Sequence, residues 1–251
     1  MKPFNKLLVA VAFIGMLLLM SFAIPAKKIK VYLIGDSTMS IKQISKYPET
    51  GWGMPFAHFF DETVTVDNRA QNGRSTRSFM TEGRWKSVTD SLKAGDYVFI
   101  QFGHNDEVPT KKNYTTEEEF KNNLTKYVNE SLKAGAFPVL ITPVARRSFD
   151  AEGKVVSTHQ VYSEIVRTVS GELKVPLIDL DKVSMQLLQK LGVENSKLLF
   201  NKLEPGQHPN YPKGVDDNTH FNEYGARRMA ELVLSEIRTL NLELAGRIVK
   251  H

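Results

Sequence analysis

The chain has 251 residues, of which 41% are hydrophobic, and its formal net charge is +5. This length and composition can bury one large core, so we expect a single domain and exclude collagen-like, disordered and repeat architectures. The charge, to which Lys2 and Lys6 both contribute, is too small to predict a nucleic-acid partner. The chain has no cysteine, so its stability must come from the core rather than from disulfide bonds.

The N-terminus has the pattern of an export signal. Lys2 and Lys6 precede an uncharged apolar run over residues 7–23 that ends in small residues. The run is slightly shorter than the roughly 20 residues that cross a bilayer, so a retained anchor is the less favoured alternative. We therefore predict a signal peptide at 1–23 and a single domain at 24–251. The protein is expected in the periplasm or secreted from a bacterium, without membrane association after cleavage.

Hydrophobic periodicity predicts strands alternating with helices through the rest of the chain. Short apolar runs rich in β-branched and aromatic residues predict strands at 30–34, 64–68, 97–101, 137–142 and 175–179. Apolar residues at helical spacing predict helices at 52–62, 116–135, 161–173, 181–191 and 222–240. This alternation is typical of a parallel sheet covered on both faces. We therefore predict an α/β fold, a three-layer α/β/α sandwich whose five-stranded parallel sheet has the flavodoxin-like order 2-1-3-4-5.

Two segments are expected to be irregular. Residues 74–78 are polar and follow Gly73, which indicates a loop leading into a mixed segment through Leu92. Residues 201–219 are rich in proline, glycine and asparagine and show no periodicity. We expect them to form a long surface loop, and loops of that length are usually functional or disordered.

Three residues that follow neighbouring strands could form one catalytic pocket. Ser37, Gly73 and Asn105 come after the first, second and third predicted strands. In the order 2-1-3-4-5 these strands are adjacent, and ligands bind at the carboxyl ends where the strand order reverses. The pocket would contain a hydroxyl, an exposed backbone N–H and a side-chain amide, the components of a serine nucleophile with an oxyanion hole.

A serine nucleophile also needs a base and a group that orients the base. The tetrapeptide from Asp217 to His220 offers both, at the boundary between the long loop and the last helix. A neutral imidazole can accept the proton of Ser37 and later return it to the leaving alcohol. Asp217 would hold the imidazole tautomer and stabilise the imidazolium.

Four short blocks resemble those of the SGNH (GDSL-type) hydrolases, namely Gly35-Asp36-Ser37, Gly73, Gly103-His104-Asn105 and Asp217-x-x-His220. The resemblance covers residues 30–240. It implies that the N–H groups of Ser37 and Gly73 and the amide of Asn105 form the oxyanion hole. It also implies a triad of Ser37, His220 and Asp217 that acts through an acyl-enzyme, with no metal and no other cofactor.

Three further stretches, at residues 68–79, 142–147 and 217–222, resemble rhamnogalacturonan acetylesterases and related pectin-side-chain esterases. This resemblance implies that the partner is an acetylated pectic carbohydrate. Arginine binds carboxylates in bidentate fashion, so a galacturonate-bearing polymer would suit the arginines of these stretches, Arg74, Arg77, Arg146 and Arg147. Arg74 and Arg77 could equally tie loops together inside the fold. His208 in the long loop is a further candidate for contacting substrate.

Other functions stay open from the sequence. A lipid or lysophospholipid esterase is the nearest alternative, although long acyl chains need an apolar groove and these loops are polar. A metallohydrolase could use carboxylate and imidazole ligands, here His104, Asp106, Asp217 and His220. A non-catalytic carbohydrate-binding module is a third alternative. The oligomeric state, the sugar position and the preference for polymer or oligomer are left open.

Overall fold

The computed structural model describes residues 27–249. The predicted signal peptide at 1–23 and its alternative, a retained anchor, lie outside the described residues. Within 27–249, none of the helices combines the length and the apolar character that crossing a membrane requires.

Five parallel strands form the central sheet in the order β2-β1-β3-β4-β5, which confirms the predicted topology. They are β1 Ile29–Gly35, β2 Val64–Asn68, β3 Tyr97–Gln101, β4 Phe137–Ile141 and β5 Leu177–Ile178. In the register of the sheet, Leu33 pairs with Asn68 and Gly35 pairs with Gln101. The carboxyl ends of β1, β2 and β3 therefore meet at one edge. The fifth strand is shorter than predicted because Pro176 has no N–H for the ladder and Asp179 already caps the following helix.

Helices cover both faces of the sheet, as a three-layer sandwich requires. The α-helices are α1 Gly53–Phe56, α2 Thr76–Thr81, α3 Arg84–Thr89, α4 Glu117–Lys133, α5 Gln160–Leu173, α6 Leu180–Asn195 and α7 Glu223–Thr239. Short 3₁₀ helices occur at Ile44–Lys46, Ala57–Phe59, Ser196–Leu199 and Glu243–Arg247. One buried cluster contains Leu33 and Phe99 with Trp52 of the α1 region and Val233 of α7. The other contains alternate strand residues with the aromatic residues Phe79, Trp85, Phe120 and Tyr127.

The helical segments depart from the predictions in three places. The predicted helix at 52–62 is only α1 followed by a 3₁₀ turn, because Phe60 is extended and bridges to Ile248. The segment after Gly73 contains two short helices, α2 and α3, separated at Gly83. Leu132 follows Leu124 and Val128 at a spacing of four residues along α4, but it is 46% exposed. Apolar residues spaced four apart drift around a helix of 3.6 residues per turn, so the last of them leaves the core.

The prediction of one irregular loop over 201–219 is wrong at both ends, because residues 201–203 and 215–219 belong to the strands of a β-hairpin. Strands β6 Phe200–Leu203 and β7 Val215–Phe221 pair in antiparallel fashion, which leaves residues 204–214 as the connection. A bulge interrupts the pairing: between the pairs Lys202–Asp216 and Phe200–Phe221, β6 has one residue and β7 has four. The bulge hides the alternation that would reveal a strand, and it contains Asp217 and His220.

Candidate active site

Ser37 lies on the turn that follows β1. Oδ1 of Asp36 accepts hydrogen bonds from the backbone N–H and the hydroxyl of Thr38, at 2.9 and 2.8 Å, and these bonds fix the turn. Gly35 is required just before it, because a Cβ there would stand 2.5 Å from the carbonyl oxygen of Gln101. The serine side chain is thereby held at the edge of the sheet, pointing into a cleft of about 390 Å³.

The bulge of β7 brings His220 to Ser37. The Nε2 atom of His220 lies 2.9 Å from Oγ of Ser37, and its Nδ1 atom lies 2.7 Å from Oδ2 of Asp217. A carboxylate can only accept hydrogen bonds, so Nδ1 carries the proton and Nε2 is free to accept the serine hydroxyl. Ser37, His220 and Asp217 therefore form a hydrogen-bonded row in this order.

Asp217 is held by its own backbone neighbours. Its Oδ1 atom accepts hydrogen bonds from the N–H groups of Thr219 and His220, at 2.6 and 3.0 Å. Burial acts to raise the pKa of Asp217, but the hydrogen bonds from the side chain and backbone of His220 and from Thr219 outweigh burial and lower this pKa to about 2. The group is therefore a carboxylate at neutral pH, as the orientation of His220 requires.

Gly73 and Asn105 line the same cleft as Ser37 and His220. Gly73 has a φ of +75° and an open position in place of a side chain, so its backbone is accessible from the cleft. The amide of Asn105 donates to the carbonyl oxygen of Arg74 at 3.0 Å and accepts from Nζ of Lys111 at 3.0 Å. These two bonds orient the amide and leave its second N–H for a ligand. All five residues expected to form the triad and the oxyanion hole are thus gathered in one cleft.

Arg146 and Arg147 bind the bulge of β7, residues 217–220. Arg146 donates through Nη1 to Oγ1 of Thr219 at 2.9 Å, and the Arg147 guanidinium donates to Oδ1 of Asn218 at 3.1 Å. The backbone N–H of Arg147 also donates to the carbonyl oxygen of Asn218 at 2.8 Å. Two residues expected to recognise a substrate carboxylate are therefore engaged with the bulge, although Arg146 also lines the cleft.

A buried lysine that the sequence analysis did not single out supports the nucleophile turn. Lys42 donates to the carbonyl oxygen of Ser37 and, at 2.9 Å, to Oδ1 of Asn72, and it forms an ion pair with Glu49 at 2.7 Å. Burial lowers the pKa of Lys42, and the attraction of Glu49 opposes that effect. Lys42 carries no sequence signal, because lysines in loops are normally solvated and only the fold buries this one. Lys111 is exposed, and only the fold brings its ammonium group to Asn105.

The residues of the metallohydrolase alternative have other partners. Oδ1 of Asp106 accepts hydrogen bonds from the backbone and hydroxyl of Thr76 and from the Thr115 hydroxyl, at 2.9, 2.6 and 2.9 Å. The ring of His104 packs against that of His159, with centroids 4.3 Å apart, and burial holds the pKa of His104 well below its usual range. Within the described residues, no three His, Asp or Glu side chains are grouped so that they could hold a metal ion.

The substrate-binding candidates lie elsewhere. Arg74 pairs with Glu82 at 3.0 Å, and Arg77 pairs with Glu119 at 3.5 Å. Neither is among the described residues that line the catalytic cleft, and His208 lines a second cleft. Substrate binding by these three residues stays a prediction. The cleft itself contains Lys46, Asn72, Lys111 and Thr219, which the sequence analysis did not name.

Comparison with known proteins bears on this arrangement. Residues 33–228 match the GDSL-like lipase/acylhydrolase family. The chain is 42% identical to rhamnogalacturonan acetylesterase RhgT of Bacillus subtilis (strain 168) over 224 residues, which are 89% of this chain and 95% of that protein. It is 34% identical to the probable rhamnogalacturonan acetylesterase YesY of the same organism over 222 residues, 88% of this chain and 97% of that protein.

A solved structure has the same fold. The crystal structure of protein YxiM from Bacillus subtilis superposes with a TM-score of 0.75 at 28% identity, over 88% of this chain and 59% of that chain. These similarities confirm the family resemblance found in the four sequence blocks. The chain therefore belongs to the GDSL-like lipase/acylhydrolase family and is a carboxylic ester hydrolase.

Proposed function

We propose that this protein is an exported serine esterase that removes O-acetyl groups from pectic polysaccharide or oligosaccharide of the rhamnogalacturonan type. The observation that carries the proposal is the alignment of Ser37, His220 and Asp217, with contacts of 2.9 and 2.7 Å. The substrate class is supported by the 42% identity to a rhamnogalacturonan acetylesterase over most of both chains.

In the proposed mechanism, Nε2 of His220 takes the hydroxyl proton of Ser37 as Oγ attacks the acetyl carbonyl carbon. The oxyanion that forms is received by the N–H groups of Ser37 and Gly73 and by the amide of Asn105. His220 then gives its proton to the departing sugar oxygen, which leaves an acetyl group on Ser37. Water, deprotonated by His220, attacks this acyl-enzyme and releases acetate. Asp217 stays ionised throughout and stabilises the imidazolium.

The composition of the cleft favours acetyl over long acyl chains. Apart from Gly73, every residue that lines it is polar or charged. A lipid acyl chain needs an apolar groove to replace the water it leaves, whereas an acetyl group needs space for one methyl group. We therefore expect hydrolysis of aryl acetate to exceed hydrolysis of aryl decanoate. The opposite order would favour the lipid esterase alternative.

The mechanism and the substrate are tested separately. Ser37→Ala should abolish acetate release from every ester, and full activity of that variant would refute the mechanism. The matched control is Ser235→Ala, which removes an exposed hydroxyl of α7 that is not among the described residues lining the cleft. The wild-type protein should release acetate from acetylated pectic rhamnogalacturonan faster than from acetylated xylan. A preference for xylan would retain the esterase and reject the pectic substrate.

Export is tested in the producing cell. If residues 1–23 are a cleaved signal, protein recovered from the periplasm or the medium should begin close to residue 24. N-terminal sequencing measures this directly. Full-length protein confined to the membrane fraction would instead support the retained anchor.

A further inference from the structure

A second cleft, of about 530 Å³, shares a wall with the catalytic cleft. The shared wall is the segment 46–50. Lys46 and Glu49 of this segment line the catalytic cleft, whereas Tyr47, Pro48 and Thr50 line the second one. The remaining lining residues of the second cleft are Met54, Pro55, His58, His208, Glu223 and Arg227. A molecule that extends from Ser37 across this wall would therefore enter the second cleft.

The connection of the β6–β7 hairpin is fastened to the same wall. Nδ2 of Asn210 donates to the carbonyl oxygens of Ile44 and Tyr47, at 2.7 and 2.9 Å. The hydroxyl of Tyr211 donates to the carbonyl oxygen of Lys46 at 2.8 Å. These bonds use backbone acceptors, so they hold the connection in place and leave the side chain of Tyr47 available. The connection thereby presents His208 to the second cleft.

The side chains of the second cleft suit a sugar ring. Tyr47 is 36% exposed and offers a flat apolar surface beside Met54 and Pro48. The apolar C–H face of a pyranose can lie on such a surface, while its hydroxyl groups need donors and acceptors around the edge. His208 supplies one of these groups: its Nδ1 atom accepts from the backbone N–H of Asn210 at 3.2 Å, which leaves Nε2 as a donor. The carboxylate of Glu223 supplies acceptors.

Arg227 adds a charged donor to the second cleft. It lines the cleft together with the carboxylate Glu223, and its Nε atom lies 3.5 Å from Oε1 of Glu231. The Arg227 guanidinium lies over the ring of Phe59, 4.8 Å from its centroid, which restricts its position. The terminal N–H groups of an arginine held in this way can donate to a sugar hydroxyl group or to a carboxylate.

We propose that the second cleft is a carbohydrate subsite that binds another sugar residue of the same chain whose acetyl group lies at Ser37. This inference rests on the proposed function, because it requires a saccharide as the substrate. Binding away from the reacting ester is useful to such an enzyme, since energy gained from remote parts of a substrate can position the reacting group. The subsite also assigns a role to the hairpin connection, which supplies His208.

The test compares a long and a short substrate in the same variants. Tyr47→Ala should lower kcat/KM on acetylated rhamnogalacturonan about tenfold, the effect of about 1.4 kcal/mol of lost binding. The same variant should leave kcat/KM on 4-nitrophenyl acetate within about twofold of wild type, because that ester is too short to cross the wall. His208→Ala should behave in the same way, and it reports on the subsite if Tyr47→Ala fails to fold. Tyr224→Ala is the matched control, since Tyr224 is 56% exposed and is not among the residues that line either cleft.

Two outcomes overturn the subsite. One is an equal loss of kcat/KM on the polymer and on 4-nitrophenyl acetate, which would place the effect at the catalytic residues. The other is an unchanged kcat/KM on the polymer. Binding of deacetylated rhamnogalacturonan oligosaccharide to Ser37→Ala, followed by NMR, should weaken about tenfold when Tyr47→Ala is added. If the enzyme prefers acetylated xylan, the pectic proposal fails. The subsite is then tested with acetylated xylan and xylo-oligosaccharide in the same comparison.

Discussion

The Nη1 atom of Arg146 donates a hydrogen bond to Oγ1 of Thr219 at 2.9 Å, and Thr219 stands between Asp217 and His220. The same guanidinium donates through Nη2 to Oε1 of Glu107 at 3.1 Å. Glu107 belongs to the loop after β3 that also presents the oxyanion-hole candidate. Arg146 therefore links the bulge that contains Asp217 and His220 to the loop that contains Asn105.

Replacing Arg146 with alanine should lower kcat on 4-nitrophenyl acetate on the order of 10- to 100-fold with little change in KM, because small displacements of catalytic groups slow the chemistry. Steady-state kinetics on this neutral ester measure the changes in kcat and KM. Arg69→Ala is the control, since Arg69 also forms an ion pair, with Asp67 at 2.6 Å, and is not a lining residue of the catalytic cleft. If Arg146→Ala instead raised KM on pectic substrate alone, Arg146 would be a substrate ligand, as the sequence analysis expected.

Asn105→Ala should lower kcat about 10²- to 10³-fold, the usual loss when one oxyanion donor is removed. Lys111→Met should cause a smaller loss, because it removes only the 3.0 Å bond that orients the Asn105 amide. Kinetics of the two single variants and the double variant measure both effects. If Lys111 acts through Asn105, the second substitution should add little to the first, whereas additive losses would show that Lys111 has a separate role.

Asp217→Asn should lower kcat on the order of 10⁴-fold, the loss expected when the orienting carboxylate of a triad becomes an amide. An asparagine can still accept from the N–H groups of Thr219 and His220, so the bulge is retained while the carboxylate that fixes the Nδ1 proton is lost. Circular dichroism should therefore match wild type while turnover falls. Retention of more than a tenth of the wild-type rate would contradict the role given to Asp217.

Asp106 makes stability depend on pH. Burial raises the pKa of Asp106 to about 7 against the opposing hydrogen bonds from Thr76 and Thr115, whereas an unfolded aspartate titrates near about 3.9. Between these values the folded state holds a proton that the unfolded state has lost, so this group makes stability fall as pH rises from about 4 to about 7. The slope is at most about 1.4 kcal/mol per pH unit.

Asp106→Asn cannot titrate and keeps an acceptor for the hydrogen bonds from Thr76 and Thr115, so it should remove this contribution. Relative to wild type, the variant should gain stability between pH 5 and pH 8 as measured by urea unfolding. Parallel pH profiles for the two proteins would show that the carboxyl of Asp106 is ionised in the folded state across this range.

Local patterns were sufficient for most of the fold. The bounds of β2 and β3 agree with the predictions. The buried run of β3 and the alternating valines Val64 and Val66 of the partly exposed β2 are both readable from neighbouring residues alone. The start of α4 was also predictable from neighbouring residues, since the Thr116 side chain accepts a hydrogen bond from the N–H of Glu119. The β6–β7 hairpin was missed because its bulge and its Pro- and Gly-rich connection remove the alternation that marks a strand.

The contacts of the arginines could not be predicted from the sequence. Arg74, Arg77, Arg146 and Arg147 have the same side chain, and a sequence does not say which oxygen each guanidinium will meet. The fold gives Arg74 and Arg77 carboxylate partners in Glu82 and Glu119, and it directs the other two to the bulge of β7. The partner of an arginine depends on which oxygen atoms lie near it in the fold. The composition could therefore suggest that these arginines bind carboxylates, but not whether the carboxylates belong to the substrate or to the protein.

The sequence by itself determined the alternation of strands and helices, the sheet type and the chemical identity of the reacting groups, because side-chain burial repeats with the period of each local structure. Only the tertiary structure decided that Ser37 and His220, 183 positions apart, lie within hydrogen-bonding distance. It also decided that Lys42 is buried, that the exposed Lys111 reaches Asn105 and that a second cleft borders the first. These features depend on strand register, one bulge and loop packing, which arise from long-range contacts and leave no periodic trace in the chain.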